Sequence, residues 1–146
     1  MGIGPRGRLR AGAAGERCMS SRFDHLLVVG LGYAAARYVA LHGARWNRIP
    51  ASVRTLGKAD EARAGARLIT FDGCGPAPAL SEAIAEADAV LMAAPPSPEA
   101  DPLLGHHGDD LMAAGRGGRL TRLVYLSSVG VYGDHAGRWV DEDTPC

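Results

Sequence analysis

The chain has 146 residues, of which 47% are hydrophobic and 22% are charged, and its formal net charge at pH 7 is zero. This length suits one domain with a substantial hydrophobic core. Zero net charge argues against a nucleic-acid partner, and no apolar run approaches the roughly 20 residues that span a bilayer, which argues against a membrane partner.

A basic leader precedes the predicted domain. Residues 1–22 carry five arginines and one glutamate and lack the apolar segment of a secretory signal. We interpret residues 1–22 as a disordered basic leader or as an incorrectly assigned start, since Met19 would be a natural first residue; an arginine-rich transit peptide is the alternative. Residues 23–146 are predicted to form the domain. The three cysteines lie far apart, which favours a reducing cytoplasm over a disulfide framework.

Predicted strands and helices alternate along the domain. The strands are predicted at Leu26–Gly30, Ala51–Thr55, Arg67–Phe71, Ala89–Ala94 and Arg122–Ser128. The helices are predicted at Tyr33–His42, Lys58–Ala64, Leu80–Ala87 and Leu103–Ala114, with Gly43 ending the first and Ser81 capping the third. The first and fourth strands are apolar throughout, which indicates burial on both faces by helices. The pattern predicts an α/β fold: a Rossmann-type, doubly wound parallel sheet with strand order 3-2-1-4-5.

A glycine motif joins the first strand to the first helix, where Gly-x-Gly-x-x-Ala begins at Gly30. Gly30 permits a tight turn, Gly32 lets phosphate oxygens approach the backbone, and Ala35 lets the helix lie close to the strand. The helix N-terminus adds N–H groups and a partial positive charge. We therefore predict that Gly30, Leu31, Gly32, Tyr33 and Ala35 bind the pyrophosphate of a dinucleotide. A turn that binds nothing is the alternative.

The end of the second strand bears on the choice of cofactor. Arg54 lies 24 residues after Gly30, and no acidic residue occurs there before Asp60. An acid at this place would bind the ribose of NAD, whereas an arginine pairs with the 2′-phosphate of NADP. Arg54 therefore favours NADP over NAD, with a solvated arginine as the alternative.

The third and fourth strands end in further candidates. Asp72 would accept a hydrogen bond from the adenine amino group, or would serve only as a turn residue before Gly73. Ala94 and Pro95 are predicted to lie beside the cofactor, where they contribute backbone and shape.

The segment after the fifth strand carries a family resemblance. Residues 126–133 read Leu-Ser-Ser-Val-Gly-Val-Tyr-Gly, and an acidic run follows at residues 139–145. From about residue 26 onward, the chain resembles the extended and atypical short-chain dehydrogenase/reductase superfamily, of the NAD-dependent epimerase/dehydratase type. The resemblance implies that Ser128, four residues before Tyr132, is the catalytic hydroxyl that contacts the reacting oxygen. It places Ser127 in a structural or cofactor-facing role.

The resemblance also implies hydride transfer between a nicotinamide and a hydroxyl or carbonyl carbon of a small substrate, for which a sugar nucleotide is one candidate. The family's Tyr-x-x-x-Lys motif is absent from this sequence. We therefore expect an incomplete dinucleotide-binding domain, without a sixth strand or a substrate domain and with little activity of its own. A non-catalytic NADP(H) sensor or scaffold is the alternative. The apolar edge at Leu123–Leu126 is expected to self-associate.

Two other polar groups suggest chemistry at first sight. His106-His107-Gly108-Asp109-Asp110 has the residue types of a metal site, but adjacent histidines on a helix point in different directions, so no metal is predicted and a solvated face is expected. Asp134 and His135 near Ser128 suggest a hydrolase triad, which the absence of a Gly-x-Ser-x-Gly elbow disfavours.

Overall fold

The computed structural model describes residues 24–57, 67–98 and 100–145. The predicted leader and the helix predicted at Lys58–Ala64 lie outside these ranges. Five strands form one parallel sheet with the order β3-β2-β1-β4-β5, as predicted. The strands are β1 (Leu26–Val29), β2 (Ala51–Val53), β3 (Leu68–Thr70), β4 (Ala89–Met92) and β5 (Arg122–Tyr125).

Helices cover both faces of the sheet. They are α1 (Tyr33–His42), α2 (Pro78–Glu86) and α3 (Pro102–Arg116), and short 3-10 turns occupy Gly43–Arg45 and Val129–Tyr132. Leu26 and Val28 pack with α1, whereas Leu27 and Val29 pack with α2 and α3. All four β1 side chains are therefore buried, which is why this strand is apolar at successive positions. The Rossmann-type doubly wound fold is confirmed.

The start of α2 differs from the prediction. The helix begins at Pro78, and Ala77 occupies the N-cap position without a side-chain hydrogen bond. Proline suits the first helical position because the N–H that it lacks would have no intrahelical acceptor there. Ser81, predicted as the cap, lies inside the helix, and its hydroxyl donates to Asp110 Oδ2 on α3 at 2.7 Å. The predicted cap is therefore wrong.

The predicted solvated face at His107 is also wrong, because His107 is only 1% exposed. Its Nε2 accepts a hydrogen bond from the Ala77 N–H at 3.1 Å, so the ring proton belongs on Nδ1. Nδ1 lies 2.9 Å from Asp110 Oδ2. The ring also packs edge-on against Phe71, with the centroids 5.4 Å apart. His107 thereby fastens the chain before α2 to α3.

Asp110 should make acid stability depend on this cluster. Its hydrogen bond from His107 and a second from Ser81 hold the pKa of the Asp110 carboxyl below its ordinary value. A lowered folded-state pKa stabilises the fold above the unfolded-state pKa, and this contribution is lost as the pH falls through the folded-state pKa. We expect Asp110→Asn to cost about 1 kcal/mol at neutral pH, because Asp110 is partly exposed, and to cost less in acid. Urea unfolding over a series of pH values measures the difference.

The neighbouring Asp109, which is exposed, supplies the control. Asp109→Asn should change the free energy of unfolding little at any pH. An equal loss in the two variants, or a loss in Asp110→Asn that is the same in acid as at neutral pH, would contradict the assignment.

Candidate functional site

A cavity of about 870 Å³ opens at the carboxyl ends of the four strands β1 to β4. Ligands of doubly wound folds bind at this place, beside the strands where the order reverses. Seven of the predicted site residues line it: Gly30, Leu31, Gly32, Arg54, Asp72, Ala94 and Pro95. Four others are not part of its lining: Tyr33, Ala35, Ser127 and Ser128.

Gly30 is required by two constraints at once. Its φ of +87° is a conformation that side chains disfavour, and a Cβ at this position would lie 2.6 Å from the backbone nitrogen of Ala94. Ala93 and Ala94 both donate their N–H groups to the carbonyl oxygen of Val29, which holds the end of β4 against the turn. Gly30 is thus needed for the fold of the turn, whatever the cavity holds.

Gly32 is different, because a Cβ there would meet nothing within 4 Å. Its φ of −81° and ψ of −173° are extended backbone that any residue adopts. No packing or conformational reason for glycine at this position exists within the described residues. Gly32 lines the cavity, so a side chain there would occupy space that a ligand could otherwise use.

The N–H groups available at the start of α1 belong to its first turn. The Gly30 N–H donates to Ser52 Oγ, and the Leu31 N–H donates to the Ser52 carbonyl oxygen, each at 2.9 Å. The first bond of the helix runs from the Ala36 N–H to Gly32 O. The amides of residues 33–35 therefore have no intrahelical acceptor, and the helix dipole adds positive potential beside them. An anion over Gly32 would meet these amides.

Tyr33 and Ala35 do not line the cavity and have other places in the structure. The Tyr33 side chain is 92% exposed at the first position of α1, and its amide is one of those without an intrahelical acceptor. Ala35 is fully buried and packs with Val28 and Ala51, which brings α1 close to the sheet. This packing is the role that the small residue of the motif was predicted to play.

Arg54 and Asp72 stand at the ends of β2 and β3. Arg54 is exposed, lines the cavity and forms no hydrogen bond or ion pair with the part of the chain that the structure describes. The Asp72 Oδ1 atom accepts the Cys74 N–H at 2.9 Å and so makes a local turn. Asp72 also lines the cavity, and its other carboxylate oxygen is not used in this turn. Both predicted roles, the turn residue and the acceptor for the adenine amino group, are therefore compatible with the structure.

Asp101 is a site residue that the sequence analysis missed. It caps α3, since its Oδ1 accepts the Leu104 N–H at 3.1 Å, and it lines the cavity. Desolvation raises the pKa of the Tyr125 phenol, and the charge and hydrogen bond of the Asp101 carboxylate raise it further. The Tyr125 phenol, at the end of β5, thus lies beside the residue that caps α3. Aspartate followed by Pro102 is a helix-start signal that could have identified the cap.

The serine that is predicted to be catalytic is not among the residues that line the cavity. Ser127 and Ser128 are exposed after β5, and the Ser128 carbonyl oxygen accepts the Val131 N–H at the start of a 3-10 turn. His135 Nε2 lies 2.8 Å from the carbonyl oxygen of Tyr132, an interaction that is local to this segment. The role of Ser128 stays a prediction from the sequence.

Two further classes of site were searched for in residues 24–57, 67–98 and 100–145. No group of three or more His, Cys, Asp or Glu side chains there could hold a metal ion. No helix in these ranges has the length and apolar composition needed to cross a membrane.

A dinucleotide fits three features of this region: the open space at Gly32, the amides of residues 33–35 and the Arg54 guanidinium at the end of β2. Gly32 would leave room for a diphosphate, the start of α1 would supply N–H donors, and Arg54 would supply a cation for a further phosphate. The residues present are therefore compatible with NAD or NADP as the occupant of the cavity.

Solved structures share this fold. The chain is similar to a functionally unknown conserved protein from Silicibacter pomeroyi, with 34% identity and a TM-score of 0.64 over 84% of this chain and 42% of that one. It is similar to gox2253, with 24% identity and a TM-score of 0.59 over 84% of this chain and 40% of that one. A likeness to UDP-N-acetylglucosamine 4-epimerase from Bacillus cereus covers 84% and 42% of the two chains, at 18% identity and a TM-score of 0.49.

The chain thus spans 40–42% of the length of these three proteins. The likeness to the first two of these proteins confirms the predicted fold. No protein-family model and no curated protein matches the chain.

The two glycines of the turn should respond differently to one added methyl group. We expect Gly30→Ala to lower the free energy of unfolding by about 2 kcal/mol or more, because of its positive φ and its contact with Ala94. Gly32→Ala should leave stability within about 1 kcal/mol but weaken NADPH binding about tenfold or more. Urea unfolding and isothermal titration calorimetry measure the two effects.

Gly105→Ala is the matched control, because Gly105 lies within α3 and a Cβ there also meets nothing within 4 Å. It should stabilise the helix by about 0.5–1 kcal/mol and leave NADPH affinity unchanged. Unaltered NADPH affinity in Gly32→Ala would remove Gly32 from the binding site.

Proposed function

We propose that this chain is the NAD(P)-binding domain of an epimerase/dehydratase-like oxidoreductase. The observation that carries the proposal is Gly32, which opens into the cavity without any packing reason for glycine and stands at the start of α1. The amides of residues 33–35 would hold the diphosphate. Arg54 and Asp72 would contact the adenosine half of the cofactor, and the backbone around Ala94 and Pro95 would bound the nicotinamide half.

NADP is the proposed preference. Arg54 lines the cavity at the end of β2 with no partner among the described residues, so its guanidinium is available to a 2′-phosphate. The planar fork of arginine donates two parallel hydrogen bonds to a phosphate, which a carboxylate at this place would repel.

In the whole protein, the bound cofactor would exchange a hydride with a hydroxyl or carbonyl carbon of a small substrate. We propose Ser128 as the group that hydrogen-bonds the reacting oxygen, on the support of the sequence resemblance. One observation favours a second role, a non-catalytic sensor of NADP(H): Ser127 and Ser128 do not line the cavity. Binding of NADPH with no reductase turnover by the intact protein would support the sensor, and turnover that Ser128→Ala abolishes would support the enzyme.

The cofactor preference is tested at Arg54. We expect the chain to bind NADPH more tightly than NADH, and Arg54→Ala to weaken NADPH about tenfold while NADH affinity stays the same. Arg37→Ala is the control, since Arg37 is exposed on α1 and does not line the cavity. Calorimetric titration with both cofactors measures the four comparisons. A preference for NADPH that survives in Arg54→Ala would exclude this arginine as the 2′-phosphate contact.

We also propose that copies of the chain associate through the free edge of β5. Leu123, Val124, Tyr125 and Leu126 are each at least 40% exposed, and among the described residues β5 pairs with β4 alone. An apolar strand with unpaired backbone groups is a template for pairing with a second copy.

Sedimentation velocity at increasing concentration tests this association. Val124→Lys should reduce the oligomer fraction, because a charge on an edge strand opposes edge-to-edge pairing. Met112→Lys, at an exposed apolar residue of α3, should leave the fraction unchanged. Monomers of the parent chain at all concentrations would refute the proposed association.

A further inference from the structure

Ser52, in β2, is a buried polar residue that the sequence analysis did not single out. It is 2% exposed, and within the described ranges only His107 shares the property of being polar and buried. A buried hydroxyl costs free energy unless its hydrogen-bonding capacity is used. The partners of these two residues therefore indicate what each does.

The acceptor groups of Ser52 are occupied by the glycine turn. Its Oγ accepts the Gly30 N–H at 2.9 Å, and its carbonyl oxygen accepts the Leu31 N–H at 2.9 Å. One residue of β2 thus holds two successive amides of the turn. These two bonds fix the conformation of the turn that precedes α1.

The hydroxyl proton of Ser52, in contrast, is not used by the glycine turn. A hydroxyl carries one proton to donate, and no acceptor for it occurs among the described residues. Ser52 is one of the residues that line the cavity, so a ligand there is the candidate acceptor for this proton. His107 is the contrast: one of its ring nitrogens has a partner in Ala77 and the other in Asp110, and it does not line the cavity.

The neighbours of Ser52 indicate which part of a ligand it would meet. Arg54 follows two residues later, just beyond the end of β2. Both residues line the cavity. A ligand that contacted both Arg54 and the α1 amides would therefore lie near Ser52, which is hydrogen-bonded to the turn before α1.

We propose that Ser52 is a binding residue that also positions the turn. Its hydroxyl accepts the Gly30 N–H and donates its proton to an oxygen of the adenosine 5′-phosphate, which NAD and NADP share. This assignment rests on the proposed function. Because the same hydroxyl both accepts and donates, binding of the ligand oxygen polarises it and strengthens its bond to Gly30. Ser52 therefore couples cofactor binding to the conformation of the turn.

The test compares Ser52→Ala, Ser52→Val and Ser52→Thr in the full chain. Threonine keeps the hydroxyl, whereas valine has nearly the same shape without it. We expect Ser52→Ala and Ser52→Val to bind both NADPH and NADH about tenfold more weakly, and Ser52→Thr to stay within about threefold of the parent. Both cofactors are affected because both contain the adenosine 5′-phosphate. Arg54→Ala is expected to weaken NADPH alone, because only NADPH carries the 2′-phosphate.

A second measurement separates binding from stability. In ¹⁵N-labelled chain, NADPH should shift the Gly30 amide signal in the parent and in Ser52→Thr, and should leave a much smaller shift in Ser52→Val. Equal affinities for Thr and Val variants, or an unchanged affinity in Ser52→Ala, would overturn the role of Ser52 and leave the proposed function standing. Absence of NADPH and NADH binding by the parent chain would overturn both.

Discussion

The site depends on the close approach of Gly30 to the backbone of Ala94. A Cβ at position 30 would lie 2.6 Å from the Ala94 nitrogen, and the residue adopts a positive φ, so the chain can turn at this point only with glycine. Two hydrogen bonds to Val29 O hold the end of β4 in place from the other side. The direction of α1, and with it the direction of the amides that an anion would meet, follows from this contact.

Two buried polar side chains each hold a segment of backbone in place. Ser52 fixes the glycine turn, which lines the cavity, and His107 fixes the chain before α2 through the Ala77 N–H. The two side chains differ in their unused hydrogen-bonding capacity. Both ring nitrogens of His107 have partners, whereas the Ser52 hydroxyl proton has no acceptor among the described residues. A fully partnered group stabilises structure, and a group with a donor left over toward a cavity is suited to a ligand.

The sequence was sufficient wherever a feature depends on neighbouring residues. The strand order follows from the alternation of elements and from the handedness of crossovers, and the buried β1 from its unbroken apolar run. The burial of His107 could not be predicted, because which side of α3 faces α2 depends on how the two helices pack. Ser52 was missed since its meaning depends on the register of β2 against β1, and one residue of slip would turn its side chain to the other face.

Most residues predicted to bind the cofactor and the residue predicted to take part in catalysis follow different strands of the sheet. Seven residues of the predicted cofactor site line one cavity because they follow parallel strands, whose carboxyl ends share one edge of the sheet. Ser128 also follows a strand, but β5 is exposed along its whole length and lies at the end of the sheet, one strand beyond the cavity lining. A ligand held by β1 to β4 could be bound without any contribution from Ser128. On the proposed function, cofactor affinity and hydride transfer would therefore depend on different parts of the chain, and substitutions in the glycine turn and after β5 should act on them separately.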